Sequence, residues 1–181
     1  MAEKKLGIDP GHGMGNTHYG KFDTGAVNGG LIEAKIAEKW AETIRFIFMQ
    51  RGIGCFVTHT GQTNMPLTKR APSAEAAGCT HFLAIHCNAG GGAGVEAFYR
   101  DNGDQEFANA VCNAAVEATG LKNRGVKPEY NSQYKHLAVL SFKGRAALLE
   151  IGYLDNKQDA KALVNRDVRI AFANKLADMF M

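Results

Sequence analysis

Four polar residues of the sequence could together carry out hydrolytic chemistry: two histidines and two glutamates. His12 follows the first short apolar run of the chain, and His86 lies near the end of a second such run, His81–Cys87. Glu33 stands near the start of a long amphipathic segment, and Glu150 lies within the apolar stretch Ala-Leu-Leu-Glu-Ile-Gly. Two imidazoles and one carboxylate are a common ligand set for catalytic zinc, which keeps a fourth position for water. A second carboxylate beside that water can act as a general base and then as a general acid.

Glu150 is the hardest of the four to explain as an ordinary structural residue. A carboxylate inside a buried strand costs several kcal/mol, roughly, unless it is paired or bound to a metal. Burial beside Leu149 and Ile151 should raise its pKa toward the range that is useful for catalysis. The other three residues each have a common structural explanation when taken alone, and no short metal-binding motif such as HExxH is present. The site is therefore a hypothesis that requires the fold to bring these residues together.

The pattern of apolar residues predicts strands and helices that alternate along the chain. Six short apolar runs are predicted strands: Lys5–Ile8, Ile53–Thr58, His81–Cys87, Val95–Tyr99, Leu137–Leu140 and Ala146–Ile151. The predicted helices are Leu31–Gln50, Leu67–Ala77, a helix capped by Asp104 that runs to Thr119, and one or two helices in Lys157–Met181. The basic stretch before Leu137 is predicted to be irregular. This alternation indicates an α/β sheet covered by helices, with residues 1–181 as a single domain. The candidate polar residues then lie at or near the carboxyl ends of strands, where α/β folds tend to place active sites.

Composition argues against several classes of protein. The chain has 181 residues, of which 45% are hydrophobic, so it can bury a sizeable core. Lys and Arg number 21 against 18 Asp and Glu, and the net charge of +3 is spread along the chain, which does not indicate nucleic-acid binding. No segment is long and apolar enough to cross a bilayer, so membrane insertion is not expected.

The cysteines and the N-terminal stretch predict synthesis in a reducing compartment. The four cysteines form no CxxC pair and lie in or beside apolar runs, which favours buried free thiols over disulfides: they are Cys55, Cys79, Cys87 and Cys112. The stretch Met1–Lys5 has charges but no apolar segment, so we expect no signal peptide and synthesis in the cytoplasm. A substrate outside the membrane would then require another protein to deliver the chain.

Five segments, in this order, resemble a known family: Gly7–Gly13, Leu31–Ala34, Ala84–Ala89, Arg124–Lys127 and Leu148–Asn156. Their order and separations resemble those of the Amidase_3 family of zinc-dependent N-acetylmuramoyl-L-alanine amidases, which is found in bacterial cell-wall hydrolases and phage endolysins. The resemblance extends over nearly the whole chain. It implies a twisted, mixed but mainly parallel sheet of about six strands with helices on both faces.

The same resemblance implies roles for the four polar residues. Carried over residue by residue, the ligands of one zinc ion fall on His12, Glu33 and His86, and the catalytic glutamate falls on Glu150. The implied reaction is hydrolysis of the amide bond between the lactyl group of N-acetylmuramic acid and the L-alanine of the peptidoglycan stem peptide. Asn88 is a further candidate, either as a ligand-orienting or substrate-binding residue or as an ordinary turn residue at a strand end.

Several polar residues keep two interpretations at this point. Asp9 could orient a metal-bound imidazole or be a turn residue before proline, and Glu96 could face the cleft or the solvent. Cys87 is expected to point away from His86 because neighbouring side chains of a strand face opposite ways. The remaining histidines are interpreted as surface or structural residues: His18, His59, His81 and His136.

Two other functions compete with the amidase. A zinc peptidase or carboxypeptidase acting on wall peptides would use the same metal set and differ in the bond that it cleaves. A non-catalytic wall-binding domain would be expected to lack one of the four residues. The expected lack of an export signal favours a phage or prophage endolysin, which is made in the host cytoplasm and reaches the wall through holes formed by a separate holin. A catalytic domain trimmed from a longer enzyme is the alternative setting.

Overall fold

The computed structural model describes residues 4–181. Residues 1–3, part of the stretch that predicts the lack of a signal peptide, lie outside the described residues. The strands are β1 (Lys5–Pro10), β2 (Gly13–Met14), β3 (Phe22–Asp23), β4 (Val27–Asn28), β5 (Leu31–Ile32), β6 (Gly54–Val57), β7 (His81–Asn88), β8 (Val95–Tyr99), β9 (Asn123–Pro128) and β10 (Arg145–Tyr153). The helices are α1 (Glu33–Gln50), α2 (Leu67–Ala76), α3 (Asn102–Thr119), α4 (Lys157–Val164) and α5 (Arg166–Asp178). Two short 3-10 turns cover Glu129–Asn131 and Ala138–Ser141.

Six strands form one sheet in the order β6-β1-β7-β10-β8-β9. Strands β6, β1, β7 and β10 are parallel, whereas β8 runs antiparallel to β10 and parallel to β9. The short strands pair as β2-β3 and β4-β5 in the long loop between β1 and α1. The predicted α/β domain with a mixed, mainly parallel sheet is therefore confirmed.

The alternation of side chains along the central strands decides which way the candidate residues point. On β7, Ile85 belongs to a large core built with α1, α3 and α5, whereas Ala84 belongs to a smaller core built with α2. Neighbouring residues of β10 divide between the two cores in the same way. His86 and Glu150 continue the α2-facing series, because side chains two residues apart share a face of the sheet. Both lie beyond the end of the smaller core and line an open cleft.

The long helix α1 holds Glu33 beside this cleft. Its apolar face is buried against the sheet and α5, where the ring of Trp40 lies 5.4 Å from that of Phe172. The indole N–H of Trp40 also donates to the carbonyl oxygen of Leu163 at 2.9 Å. At the other end, the backbone N–H of Glu33 donates to the carbonyl oxygen of Ala26 at 3.0 Å. The first turn of α1 is therefore tied to the loop that precedes it.

Three local predictions are wrong. The run Leu137–Leu140 is not a strand but leads into a 3-10 turn whose apolar side chains pack against α2. A four-residue apolar run fits either structure, so its pattern could not decide. The basic stretch predicted to be irregular contains the edge strand β9. Helix α3 begins at Asn102 with Asp101 as its N-cap, whereas Asp104 accepts a hydrogen bond from the backbone N–H of Ala146 at 3.0 Å.

Other local predictions are confirmed. The four cysteines are free thiols, although only Cys87 and Cys112 are fully buried and Cys55 and Cys79 are partly exposed. The C-terminal segment forms two helices, α4 and α5. Cys87 belongs to the large core and so points away from His86.

Within residues 4–181, no helix combines the length and the apolar character that crossing a bilayer requires.

The two ends of the described chain lie together, away from the cleft. Lys4 directly precedes β1, and its Nζ donates to the carbonyl oxygen of Met179 at 2.7 Å. His12 lies just beyond the other end of β1. Six strand residues span about 20 Å. The ends of the described chain and the cleft are therefore at opposite ends of the parallel strands.

Candidate active site

The cleft brings His12, Glu33 and His86 together from three separate elements. His12 follows β1, Glu33 begins α1, and His86 lies near the end of β7. Nε2 of His12 is 3.1 Å from Oε1 of Glu33, and Nδ1 of His86 is 3.0 Å from the same oxygen. One ligand atom of each residue lies within 4.8 Å of the other two. The fold thus places side by side the three residues that the sequence predicted as ligands.

The donor set and its spacing fit a metal ion. Nitrogen and carboxylate ligands bind zinc at roughly 2.0–2.2 Å, which sets the ligand atoms of a tetrahedral site about 3.3 Å apart. The carboxylate is held in place by backbone groups, since Oε1 of Glu33 accepts the N–H of Cys87 at 3.0 Å and Oε2 accepts that of Ala26 at 2.8 Å. Three such residues at the wall of an open cleft would leave room for a fourth ligand, which is typical of catalytic metal sites.

Asp23 orients the imidazole of His12, a role that the sequence did not reveal. Oδ2 of Asp23 lies 3.0 Å from Nδ1 of His12, so the ring presents Nε2 to Glu33. Asp23 is itself fixed by the side-chain amide of Asn16 at 2.6 Å and by the backbone N–H of Gly25 at 2.9 Å. Burial alone would lower the pKa of His12, but the hydrogen bonds and charges of Glu33 and Asp23 raise it to about 9.

A buried arginine supports the backbone of His12. His12 has a left-handed conformation with φ of 66°, which is uncommon for a residue other than glycine. Arg70 donates from Nη2 to the carbonyl oxygen of His12 at 2.5 Å and from Nη1 to both oxygens of Asp9 at 3.2 Å. Nε2 of His59 lies 3.1 Å from the same carbonyl oxygen, and Thr58 donates to Asp9 at 2.6 Å. Asp9 therefore serves this buried network, and its hydrogen bonds do not go to the imidazoles of the cluster.

Two glycines allow the side chains of the cluster to approach this closely. A Cβ at Gly11 would lie 2.4 Å from the ring of His86. A Cβ at Gly25, where φ is 61°, would lie 2.5 Å from Oε2 of Glu33 and 2.6 Å from Cδ2 of His12. Because real Cβ atoms do not come this close to their neighbours, any side chain at either position would displace the cluster.

Glu150 lies beside the cluster on the central strand β10. It pairs in register with His86 of β7 on one side and with Glu96 of β8 on the other. Its Oε2 is shielded from solvent and has no hydrogen-bond partner among residues 4–181. Burial raises the pKa of Glu150 to about 7, with the charge of His86 opposing this rise and that of Glu33 adding to it. A carboxyl group with such a pKa can accept and return a proton near neutral pH.

On the far side of Glu150, a buried carboxylate is paired with two cations. The side chain of Glu96 is 6% exposed, and its Oε2 accepts hydrogen bonds from Arg124 at 3.1 Å and from Lys127. Burial would raise the pKa of Glu96, but the hydrogen bonds from Lys127 and Arg124 lower it. Glu96 therefore faces the cleft and not the solvent. Asn88 also lines the cleft, and its side-chain amide donates to Oε1 of Glu96 at 2.7 Å.

The remaining histidines lie outside the cluster, as predicted. His81 packs edge-on against the rings of Phe107 and Phe180, with centroids 5.0 and 4.9 Å away. His18 is exposed, and the side chain of His136 is 70% exposed. Only His59 among the four contributes to the site, through the backbone of the loop that carries the cluster.

The fold and the cleft define an α/β protein in which a His–Glu–His cluster able to hold a metal ion adjoins a carboxyl group of raised pKa. Comparison with known proteins then identifies the family. The family model described as N-acetylmuramoyl-L-alanine amidase, Amidase_3, matches residues 6–180. The chain belongs to this family and is an amidase enzyme, as its sequence predicted.

Individual relatives agree with this assignment. The chain is 29% identical over 193 residues to the N-acetylmuramoyl-L-alanine amidase CwlM of Bacillus licheniformis, with 97% of this chain and 68% of that protein covered. It is 28% identical over 185 residues to the endolysin of Bacillus phage SPP1, with 97% of this chain and 62% of that protein covered. The catalytic domain of the amidase CwlV from Bacillus (Paenibacillus) polymyxa superposes with a TM-score of 0.82 at 28% identity, with 97% of this chain and 94% of that domain covered. The chain thus spans about two thirds of the two full-length relatives.

Proposed function

We propose that the chain is a zinc-dependent hydrolase of the amide bond between the lactyl group of N-acetylmuramic acid and the L-alanine of the stem peptide. The observation that carries this proposal is the place of Glu150. Its carboxyl group, with a pKa raised to about 7 and one oxygen free of hydrogen bonds within residues 4–181, adjoins a cluster with the donor set of catalytic zinc. Membership of the amidase family supplies the class of bond.

His12, Glu33 and His86 are the proposed ligands of one zinc ion. Bound there, zinc would supply Lewis acidity, which lowers the pKa of a coordinated water to about 7 and polarises a carbonyl oxygen. Asp23 prepares His12 for this role because its carboxylate accepts a hydrogen bond from the Nδ1–H group, which leaves the lone pair of Nε2 to bind the metal. The two backbone N–H groups on Glu33 fix its carboxylate without neutralising it.

Glu150 is the proposed general base and then general acid. In its ionised form the carboxylate takes a proton from the attacking water, and the protonated form returns that proton to the amine nitrogen of L-alanine as it leaves. Positioned proton transfer of this kind contributes roughly 10²–10⁴-fold to a rate. Asn88 is the proposed substrate-binding residue. Because its side-chain N–H groups face Glu96, its carbonyl oxygen is the atom available to a substrate N–H.

We further propose that the chain acts on the bacterial wall as the lytic enzyme of a phage or prophage. The similarity to the endolysin of Bacillus phage SPP1 supports this setting. The four free thiols agree with folding in the reducing cytoplasm of the host. Peptidoglycan is then the substrate partner, and holes made by a separate holin would give access to it.

The test of the reaction is mass spectrometry of purified peptidoglycan after digestion, with and without a zinc chelator. We expect free stem peptides that begin with L-alanine, together with glycan strands that have lost their peptides. Chelation should abolish these products, and added zinc should restore them. Cleavage within the stem peptides would contradict the proposal in favour of a peptidase, and intact peptidoglycan from several wall types would contradict it in favour of a binding domain.

The variant that tests the role of Glu150 is Glu150→Ala. It should keep its fold and bind zinc while turnover falls by about 10²–10⁴-fold, because the base is removed and the proposed ligands remain. Glu106→Ala is the matched control, since Glu106 is an exposed glutamate on α3. Zinc content measured by atomic absorption and the melting temperature separate loss of the base from loss of the site. Full activity of Glu150→Ala would refute the catalytic assignment.

A further inference from the structure

The cleft carries two cations that the proposed chemistry does not use. Arg124 and Lys127 line the same cleft as the His–Glu–His cluster, and their side chains are 30% and 33% exposed. Apart from the two imidazoles of the cluster, they are the cationic groups among the described residues that line it. Both come from the edge strand β9, so one end of the cleft is basic.

A bulge in β9 turns both cations toward the cleft. Residues three apart on a regular strand face opposite sides of the sheet, so Arg124 and Lys127 should diverge. On β8, however, Val95 and Ala97 are two residues apart, whereas their partners on β9, Asn123 and Val126, are three residues apart. Gly125, with φ of 80°, lies in this extra length. The inserted residue restores both side chains to one face, as β-bulges do.

The buried Glu96 holds the two cations in place and neutralises only one of them. Both contact its Oε2, while its Oε1 is occupied by the amide of Asn88. The guanidinium of Arg124 also lies over the ring of Tyr153, 5.1 Å from its centroid. One positive charge therefore remains in excess on a pair of side chains whose positions are already fixed. Such a pair suits an anion, above all a carboxylate, which a guanidinium and an ammonium bind by charge-assisted hydrogen bonds.

The distance from Glu150 restricts which part of a substrate can reach this pair. Strand β9 lies two strands from β10, or about 10 Å, and the cations lean back over β8 toward Glu96, within about one strand spacing of Glu150. An extended peptide advances about 3.3–3.6 Å per residue. A group bound by the pair therefore lies one or two residues from the bond at which Glu150 acts.

We propose that Arg124 and Lys127 bind the α-carboxylate of the γ-linked glutamate that follows L-alanine in the stem peptide. This inference rests on the proposed function. The N-acetylated sugars of the glycan are neutral, whereas the stem peptide carries free carboxylates beyond L-alanine, so the peptide is the part that complements a basic end. The peptide then crosses β10 and β8 toward β9, and the glycan lies on the side of β1. The basic pair sets this direction and makes the enzyme sensitive to amidation of that carboxylate.

The experiment compares two synthetic substrates that differ at one group. Both are N-acetylmuramoyl-L-alanyl-γ-D-glutamyl-L-lysine with a C-terminal amide, and the α-carboxyl group of the glutamate is free in one and amidated in the other. The zinc-loaded protein should cleave the acid with a kcat/KM about tenfold above that for the amide, the range expected for a partly exposed charge-assisted contact. Equal kcat/KM values would overturn the inference while leaving the proposed function intact. Cleavage of neither substrate would overturn both.

Variants locate the preference on these residues. Lys127→Met should bring the acid-to-amide ratio close to one, and Arg124 remains in that variant to pair with the buried Glu96. Glu96→Gln should raise the ratio, because it frees both cations from their internal partner, and no loss of folding produces such a rise. Lys143→Met is the matched control, since that side chain is 87% exposed before β10 begins. A ratio that stays at the wild-type value in both Lys127→Met and Glu96→Gln would overturn the assignment.

Discussion

Replacement of Arg70 by methionine should destabilise the protein strongly and loosen the cluster of His12, Glu33 and His86. The guanidinium is fully buried, and its contacts go to the carboxylate of Asp9 and to the carbonyl oxygens of Pro10 and His12. Methionine is also long and unbranched but donates no hydrogen bond. The substitution therefore removes the charge and its donors while much of the packing volume remains.

The magnitude follows from the carboxylate that is left behind. Asp9 is 0% exposed, and its remaining hydrogen bond from Thr58 at 2.6 Å supplies no positive charge. Removing one partner of a buried ion pair costs about 3–5 kcal/mol, because the other charge stays buried. In a domain of this size each kcal/mol lowers the melting temperature by roughly 2–4 °C. The Arg70→Met variant should therefore melt about 6–20 °C below the wild type.

The assay is thermal and urea unfolding of the metal-free proteins. The double variant Arg70→Met/Asp9→Asn should lose less stability than the two single variants together, because it leaves no buried charge. Arg166→Met is the control, an exposed arginine at the start of α5, and should change the unfolding free energy by less than about 0.5 kcal/mol. A melting temperature of Arg70→Met within about 2 °C of the wild type, or strictly additive losses in the double variant, would refute the reasoning.

Of three further predictions, two concern the His–Glu–His cluster and the third concerns the ion pair of Arg100 and Glu129. Asp23→Asn should weaken zinc binding by about 10–100-fold in a calorimetric titration, because a neutral amide accepts the hydrogen bond of His12 Nδ1 less strongly than the carboxylate that orients the ring. Gly25→Ala should lower turnover by about 10²-fold, because its Cβ would push the cluster apart. Glu129→Gln should show a pH-dependent loss of stability: burial would raise the pKa of Glu129, but its hydrogen bonds with Arg100 lower it. The charged pair therefore stabilises the fold above the ordinary pKa of a glutamate, and this contribution disappears as the pH falls through the lowered pKa.

Each of these predictions has its own control. Zinc binding by Asp23→Asn at the wild-type level would show that the carboxylate does not orient the ring. Gly29→Ala has the same unfavourable backbone, with φ of 54°, but no atom near its Cβ, so it should keep its turnover. If both alanine variants lost turnover equally, backbone strain and not crowding would be the cause. For Glu129→Gln, urea unfolding should give a wild-type advantage at pH 7 that shrinks toward pH 3, and an advantage that grew on acidification would contradict the sign.

The central part of the fold was predictable because its strands are defined by burial. Strands β7 and β10 are buried on both faces, so each reads as a continuous apolar run interrupted by one polar residue. Strand β9 gave no such signal, since its cleft-facing side chains are cations and its pattern is broken by Gly125 at the bulge. For Leu137–Leu140 the error was the opposite: a strand was predicted where there is none, because the apolar character of this run reflects packing on α2 and not strand pairing.

The proposed reacting groups were predictable from residue type and family resemblance, but their supports were not. Asp23 lies in a glycine-rich loop without periodicity, where an acidic residue has no visible partner. Arg70 follows a lysine on a short helix, and nothing in that pattern distinguishes a buried arginine from a solvated one. Contacts of this kind join residues 11 to 61 positions apart, so only the folded chain reveals them.

The contact between the two ends of the described chain, Lys4 and Met179, has a practical consequence for attaching the domain to another molecule. Lys4 and Met179 contact each other at the end of the strands opposite the cleft. A polypeptide fused to either end would therefore extend from the side of the domain that is remote from the substrate. A tag, a bead or a binding module attached at either end would contact the side of the domain opposite the cleft. The cleft would then stay accessible to a surface as large as a cell wall. For the same reason, the termini could be joined by a short linker to give a cyclic protein without a new strand crossing the cleft.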